Sequence, residues 1–361
     1  MLLKRILHIS GKMNMGGQET LIMNIYRNID RSKIQFDFVI HTEEKCFYDD
    51  EIEKLGGKIY RIPRIIHPIK HCKALAKILK ENKYEVMHRH TCSAIVFLDL
   101  LIAKWCKVKT RIVHSHAQHI DSKFGKLHKL FIPLLNKYSN VKYACSENAG
   151  KWLYGSKNKK FTVIYNGIDI DKFAFNEYIR KKIRDEFNIP ENTKVYGNVG
   201  RFSEIKNHSF LFDVFKEIIN KEPNSLLLLC GDGELRISLE KKAKELNIYD
   251  KIIFAGVRKD VYNFYQAMDT FIFTSLKEGA PLVLVEAQIA GLPCFFKDNA
   301  IPSLARVSDK LYAFSENDDA KVWADKILSA NINSSRKIDK KIFEKFDINY
   351  TTSQVLKDYL K

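Results

Sequence analysis

Along this chain, short runs of apolar residues, many of them β-branched or aromatic, alternate with longer segments whose apolar positions recur every three to four residues. Runs of the first kind are strands buried on both faces of a parallel sheet, and segments of the second kind are amphipathic helices. The pattern predicts strands near Lys4–Ile9, Phe36–Ile40, Lys58–Ile62, Glu85–His88, Arg111–Ser115, Lys142–Cys145 and Thr162–Tyr165 in the first half. In the second half it predicts them near Lys194–Val199, Ser225–Cys230, Lys251–Ala255, Thr270–Thr274 and Cys294–Phe296. Helical periodicity fills the gaps, with no internal repeat and no low-complexity segment. Such alternation marks α/β architecture with parallel sheets, and 361 residues suffice for two domains, each with its own core. The expected hinge is VIYNGIDIDKF, Val163 to Phe173, where a strand ends in Asn-Gly turn chemistry.

One strand-to-helix junction poses a question that patterning leaves open. KEGAPLVLVEAQIAGLP, Lys277 to Pro293, is almost wholly small and apolar, yet it carries Glu278 and Glu286 with seven residues between them. Pro281 supplies the fixed φ of a first helical position, and Gly291 followed by Pro293 supplies a stop. Glu278 is therefore expected in the loop at the carboxyl end of a strand, and Glu286 about a turn and a half into the helix. Ligands of open α/β sheets bind at that edge, and a helix start with free N–H groups attracts phosphate. A helix cap plus one solvent-facing acid explains the local pattern equally well.

Composition excludes several classes. Hydrophobic content of 45% and aromatic content of 12% rule out a disordered chain. The seven cysteines, at 46, 72, 92, 106, 145, 230 and 294, are scattered and contain no CxxC pair, which argues against a disulfide framework or a cysteine zinc site and for a reducing compartment. The first residues, LLKRILHIS, are too charged for a signal peptide, and the longest apolar stretch, Ala94 to Trp105, is interrupted by Asp99 and is too short to span a bilayer. The formal net charge of +17 is unevenly placed: residues 1–165 carry +16 and residues 166–361 carry +1. Ten of the eleven histidines also lie in the first half, the exception being His208. Such asymmetry points to an anionic partner or surface for the first half. Lys70, Lys73, Lys77 and Lys80 recur at helical spacing beside Leu75 and Ile78, the pattern of either a basic amphipathic helix that lies on anionic lipid or a solvated helix face. No nucleic-acid motif accompanies the charge.

Four further segments carry candidate chemistry. GKMNMGGQET follows the first strand, and Gly16-Gly17 there lets backbone approach a ligand at a helix start, although the segment is not GxGxxG. GNVGRFSEIKN, from Gly197, places Arg201 and Lys206 around a strand-to-helix loop, where two cations can neutralise a diphosphate. His88-Arg89-His90 and His114-Ser115-His116 lie at predicted strand ends, and alternation puts the members of each pair on one face. No acid or cysteine accompanies them at ligand spacing, so contacts to sugar or phosphate are favoured over zinc. Asp169-Ile170-Asp171 resembles a metal-nucleotide DxD but reads as turn chemistry.

Taken in order, GGQETLIMNIYRNID, HSHAQ, ACSENAGKWLYG, VIYNGIDIDKF, GRFSEIKN, LLCGDGEL, the long segment from FAGVRKD to EAQIAGLP, and a C-terminal helix around Tyr350 to Tyr359 resemble the retaining glycosyltransferases of family four (glycosyl transferases group 1). Within that family the chain is most similar to bacterial enzymes that build capsular, exopolysaccharide or cell-surface glycans. The resemblance implies the GT-B fold, two Rossmann-like doubly wound domains facing across a cleft. It implies an acceptor domain over residues 1–167, with a C-terminal helix at 347–361 packing back on it, and a nucleotide-sugar domain over 168–346. It implies that Glu278 contacts the transferred sugar and Glu286 the ribose, that Arg201 and Lys206 hold the diphosphate, and that Gly17, beside Gly16, closes over the phosphates. Leu282 and Val283 supply backbone donors next to Gly279, Val257-Arg258 lie near the base, and His116, with His114 as the rival placement, lies near the reacting sugar. The implied partners are a nucleotide-diphosphate sugar donor and a lipid-linked or glycan acceptor, with no metal or other cofactor. The implied location is cytoplasmic, on the inner face of the cell membrane. One departure is that CFFKDNAIPSL lacks the Gly-Gly turn and acid that many relatives carry, which leaves the donor open. Two other readings share these features: a sugar-nucleotide 2-epimerase of the same architecture, and a non-catalytic module for anionic polymers.

Overall fold

In a computed structural model, residues 3–116, 125–158, 160–330 and 335–361 are described. The chain forms two compact units, residues 1–168 with 345–361, and residues 169–344. The first unit contains strands β1 (Lys4–Ile9), β2 (Ile34–Ile40), β3 (Ile59–Arg61), β4 (Val86–Thr91), β5 (Thr110–Ser115), β6 (Val141–Ala144) and β7 (Thr162–Val163). The second contains β8 (Lys194–Val199), β9 (Ser225–Cys230), β10 (Ile252–Gly256), β11 (Thr270–Phe273), β12 (Cys294–Lys297) and β13 (Leu311–Phe314). The sheet orders are β3-β2-β1-β4-β5-β6-β7 and β10-β9-β8-β11-β12-β13, and all their pairings are parallel. In each unit the first strand therefore sits beside the fourth, the switch point at which doubly wound sheets open a ligand crevice.

Helices cover both faces of the first sheet. On one face Ile6, Phe36, Phe38, Val86 and Ile112 pack against Leu21, Ile22 and Ile25 of helix Gly17–Asn28, and against Ile348, Val355 and Tyr359 of helix Ile348–Tyr359. The chain's end is thus part of the first unit's core, tied in by a parallel bridge between Ile168 and Asp347 and by a 2.6 Å hydrogen bond between the Tyr359 hydroxyl and His88 Nδ1. On the other face Leu7, Ile9, Val39, Met87 and Val113 meet Leu75 and Leu79 of helix Pro68–Asn82 and Leu100 of helix Phe97–Trp105. Asp99, which interrupts the apolar stretch in the sequence, is fully buried here between Arg89 Nε at 2.8 Å and His71 Nε2 at 2.7 Å. In the second unit Tyr196, Leu227, Leu229, Ile272, Phe295 and Phe314 close over Phe212, Phe215 and Trp323.

Three local expectations change. Strand β13 goes unforeseen because its four residues, LYAF, form a half-exposed edge without a long apolar run. Pro281 stands one position before helix Leu282–Ile289, as its cap residue with φ −76°, rather than inside it. In helix Pro68–Asn82, Lys70, Lys73, Lys77 and Lys80 are exposed, but Leu75 and Ile78 belong to the domain core. Those two side chains are therefore not available to a bilayer.

Tyr359→Phe retains the ring and strips the hydroxyl from buried His88. It should lower the unfolding free energy by about 1–3 kcal/mol in a urea titration, the range for orphaning one buried polar partner. An unchanged midpoint would show that the His88 bond does not help hold the last helix.

Candidate active site

The second unit's switch point lies between β8 and β11, and both loops leaving it carry chemistry. After β8 the chain turns at Gly200, forms a short helical turn at Glu204–Lys206, passes through Asn207 with φ +53°, and enters helix His208–Lys221. The adjacent β9 loop presses so closely that a Cβ on Gly231, already at φ +149°, would stand 1.9 Å from the Gly200 carbonyl oxygen. Only glycine fits there. The β11 loop is fastened to the β8 loop by two bonds: Leu276 N–H donates to Ile205 O at 2.8 Å, and the Thr274 hydroxyl donates to Lys206 O at 3.0 Å.

This fastening brings Lys206 Nζ to 2.8 Å from Glu278 Oε1. The Glu278 backbone is pinned separately, its N–H donating to Ala300 O at 2.8 Å. Glu286, in the following helix, is not a solvent-facing acid. The Tyr265 hydroxyl donates to its Oε2 at 2.7 Å, and burial pushes its carboxyl up to about 7, with Tyr265 and the nearby Lys206 charge opposing the shift. Glu286 is thus half-buried and hydrogen-bonded rather than a fully exposed surface acid. Lys206, Glu278 and Glu286 form one electrostatic group, whereas Arg201 shares the loop but is exposed and turned to Glu234 at 3.0 Å.

The backbone donors at the helix start are not equivalent. Leu282 N–H is taken by Ala280 O at 2.9 Å, while among the described residues no backbone acceptor meets Val283 N–H. Gly279 lies in the loop between Glu278 and the helix. After β10, Val257 is exposed, and the Arg258 side chain is committed to Asp260 at 2.9 and 3.1 Å, which leaves backbone as that turn's free chemistry. Asp169 caps the short helix Ile170–Phe173 by accepting from Lys172 N, and Asp171 pairs with Lys340, so the two acids point to different partners.

In the first unit, Gly16 is the extended cap of helix Gly17–Asn28. A Cβ at Gly17 would meet nothing nearer than Asn166 Nδ2 at 3.7 Å, so packing does not require glycine there. The histidine pairs are joined by the sheet. Register sets His8 beside His88 and His90 beside His114. His8 Nδ1 meets His90 Nε2 at 3.0 Å, and His90 Nδ1 meets His116 Nε2 at 2.9 Å. His114 is buried, whereas His116, at the carboxyl end of β5, is partly exposed. Of the two, His116 is the one open to solvent. His8 was not among the sequence candidates, although Ile6–His8 repeats the same-face change from apolar to histidine seen in Val86–His88–His90 and Ile112–His114–His116.

A strand-order switch, a cation set against an acid, and a second acid tied to the following helix thus lie together at one edge of the second sheet. In family comparison, residues 15–172 match the Glycosyltransferase Family 4 model and residues 179–343 the Glycosyl transferases group 1 model. The chain is 33% identical over 337 residues, 91% of its length and 88% of the relative's, to the Bacillus subtilis (strain 168) protein named glycosyltransferase EpsF. It is 31% identical over 243 residues, 64% of its length and 62% of the relative's, to the Escherichia coli UDP-Gal:α-D-GlcNAc-diphosphoundecaprenol α-1,3-galactosyltransferase. In fold it resembles Anabaena HepE, solved with UDP and glucose, at a TM-score of 0.78 and 16% identity over 98% of both chains. The chain belongs to the group 1 and family 4 glycosyltransferases, on the GT-B fold.

The Glu286 carboxyl gives a pH signature. Its proton is held to about 7 in the folded protein and only to the ordinary 4.5 once unfolded, so between those values the folded state binds more protons and stability falls as pH rises. Glu286→Gln removes that cost. Relative to wild type it should gain stability from pH 5 to pH 8, by at most ~3 kcal/mol at about 1.4 kcal/mol per pKa unit. A stability difference that does not change with pH would contradict the assignment.

Proposed function

We propose that this chain is a retaining hexosyltransferase of bacterial polysaccharide synthesis, moving a sugar from a nucleotide diphosphate to a lipid-linked glycan. The observation that carries the reading is the group of Lys206, Glu278 and Glu286 at one strand edge, beside the open Val283 N–H. In this reading Lys206 and Arg201 neutralise the diphosphate, and the helix start adds a backbone donor. Glu278 orients a hydroxyl of the transferred sugar, and Glu286 accepts from the ribose. When a diphosphate arrives, Lys206 exchanges its Glu278 partner for phosphate oxygens and Arg201 leaves Glu234. Transfer occurs by positioning and by stabilising charge on the leaving group, without a protein nucleophile and without a magnesium or manganese ion. Gly17 and His116 are the first unit's substrate groups in this reading, and a glycine that packing does not demand fits close approach by a ligand. The Escherichia coli relative's UDP-galactose donor, α linkage and diphosphoundecaprenol acceptor support the hexose, the retention and the lipid.

The acceptor's lipid also gives a reason for the first unit's charge. Among the described residues no helix is long and apolar enough to cross a membrane. Instead Trp105, 77% exposed, and Ile69, 70% exposed, stand among the exposed lysines of helices Pro68–Asn82 and Phe97–Trp105, with Lys80 Nζ 5.5 Å from the Trp105 ring centroid. An exposed aromatic among lysines suits the interface of an anionic membrane.

Lys206→Ala should reduce kcat/KM by 10²–10³-fold, about 3–4 kcal/mol for a preorganised charge on the leaving group. Added magnesium should neither rescue the variant nor be required by the wild type. Near-normal turnover of the variant, or strict magnesium dependence of the wild type, would overturn the diphosphate assignment.

The intact protein should sediment with anionic liposomes at low salt, release as salt rises, and ignore neutral liposomes, each lysine near the surface contributing about 1 kcal/mol. Combined Lys73→Glu and Lys77→Glu should weaken this binding at least tenfold. Failure to bind, or binding indifferent to those changes, would mean the charge serves another surface.

A further inference from the structure

The five imidazoles of the first sheet contain more unmet bonding capacity than any other buried group in the described chain. His8, His88, His90 and His114 are essentially inaccessible to solvent, and His116 is partly exposed. Three contacts use some of their nitrogens: His8 with His90, His90 with His116, and His88 with Tyr359. His8 Nε2, His88 Nε2 and both nitrogens of His114 are buried without a hydrogen-bond partner. Each such atom is desolvated without compensation, and orphaned buried groups gathered in one place are the usual mark of a bound ion or water.

The chemistry of the set selects among ligands. Among the described residues no carboxylate or thiolate stands in the cluster, a set unlike the oxygen-rich sites of magnesium or calcium. Both nitrogens of buried His114 lack a partner, so that ring has a nitrogen free to bind. Neutral imidazole is a ligand form for zinc-class cations. His90, His114 and His116 each offer one ring nitrogen within 4.8 Å of the other two. His90 Nδ1 and His116 Nε2 are already 2.9 Å apart, and a tetrahedral zinc ion with bonds of 2.0–2.1 Å would space them at about 3.3 Å. His8 then holds His90 from behind through Nε2, as an outer partner does when it orients a metal-bound histidine. The other possible triad, His8 with His88 and His90, is wholly buried and has one ring tied to Tyr359, whereas His116 gives the outer triad an entry path.

We infer that His90, His114 and His116 form a binding site for a borderline-soft divalent cation of the zinc class, with a fourth coordination position open to water beside His116. Binding replaces the His90–His116 hydrogen bond by two metal–nitrogen bonds. It uses His116 Nε2 and none of Lys206, Glu278 or Glu286, so the site does not depend on the glycosyl-transfer reading.

The test is equilibrium dialysis of the intact, tag-free, metal-stripped protein against zinc and, separately, cobalt, with metal counted by atomic absorption. About one equivalent is expected, with the visible absorption of tetrahedral cobalt, and magnesium in excess should not displace it. His116→Gln, at the partly exposed edge where folding is least at risk, and His114→Leu should each weaken binding at least tenfold, while exposed His67→Ala should leave it unchanged. His8→Gln should weaken it by about 10–100-fold through the outer shell. No binding by the wild type, or equal binding by His116→Gln and His114→Leu, overturns the inference, and neither result bears on Lys206 or Glu278.

Discussion

Because every strand pairing in both sheets is parallel, each sheet sends the carboxyl ends of its strands to a single edge, and loops distant in sequence meet there. In the second unit the order places β8 next to β11, which sets Lys206 against Glu278, seventy-two positions later in the chain, at 2.8 Å. In the first unit the same rule places β1, β4 and β5 side by side and lines up five histidines near their carboxyl ends. Without parallel pairing neither group would exist. Helices on both faces keep the sheets buried, and a buried sheet cannot slip register without turning its apolar positions the wrong way.

Charge within the second unit is arranged around Lys206. Its ammonium is neutralised by Glu278 and lowers the cost of ionising Glu286, while the Tyr265 hydroxyl donates to that same acid. In the proposed reading a doubly charged ligand displaces Glu278 from Lys206, because the ion pair is partly exposed. In the proposed reading the ribose hydroxyls supply Glu286, already paired with Tyr265, with a further hydrogen-bonding partner.

The first unit's electrostatics divide between inside and outside. Inside, Asp99 is held by Arg89 and His71, and the histidine cluster is kept neutral by burial. Outside, lysines surround Trp105 and Ile69. An interior charge survives only with close partners, whereas surface charge needs none and is free to serve association.

Strand and helix positions were legible in the residues because buried parallel strands read as apolar runs, and the doubly wound class followed from their alternation with helices. Twelve of the thirteen strands could be placed this way; the half-exposed edge β13 could not, having too few buried positions to leave a pattern. The E-x7-E spacing put Glu278 in a loop and Glu286 on a helix, but whether Glu286 faced solvent depended on Tyr265, twenty-one residues away. Likewise Lys206 and Arg201 look equivalent in sequence, and only the fastening of two loops turned one to Glu278 and left the other with Glu234. Leu75 and Ile78 read as one face of a basic helix, and the core claimed them. The histidine pairs show the division most plainly. Alternation along a strand determined that each pair shared a face, whereas cross-strand register, a long-range property of the folded sheet, joined both pairs to His8 and decided that His114 is buried and His116 is within reach.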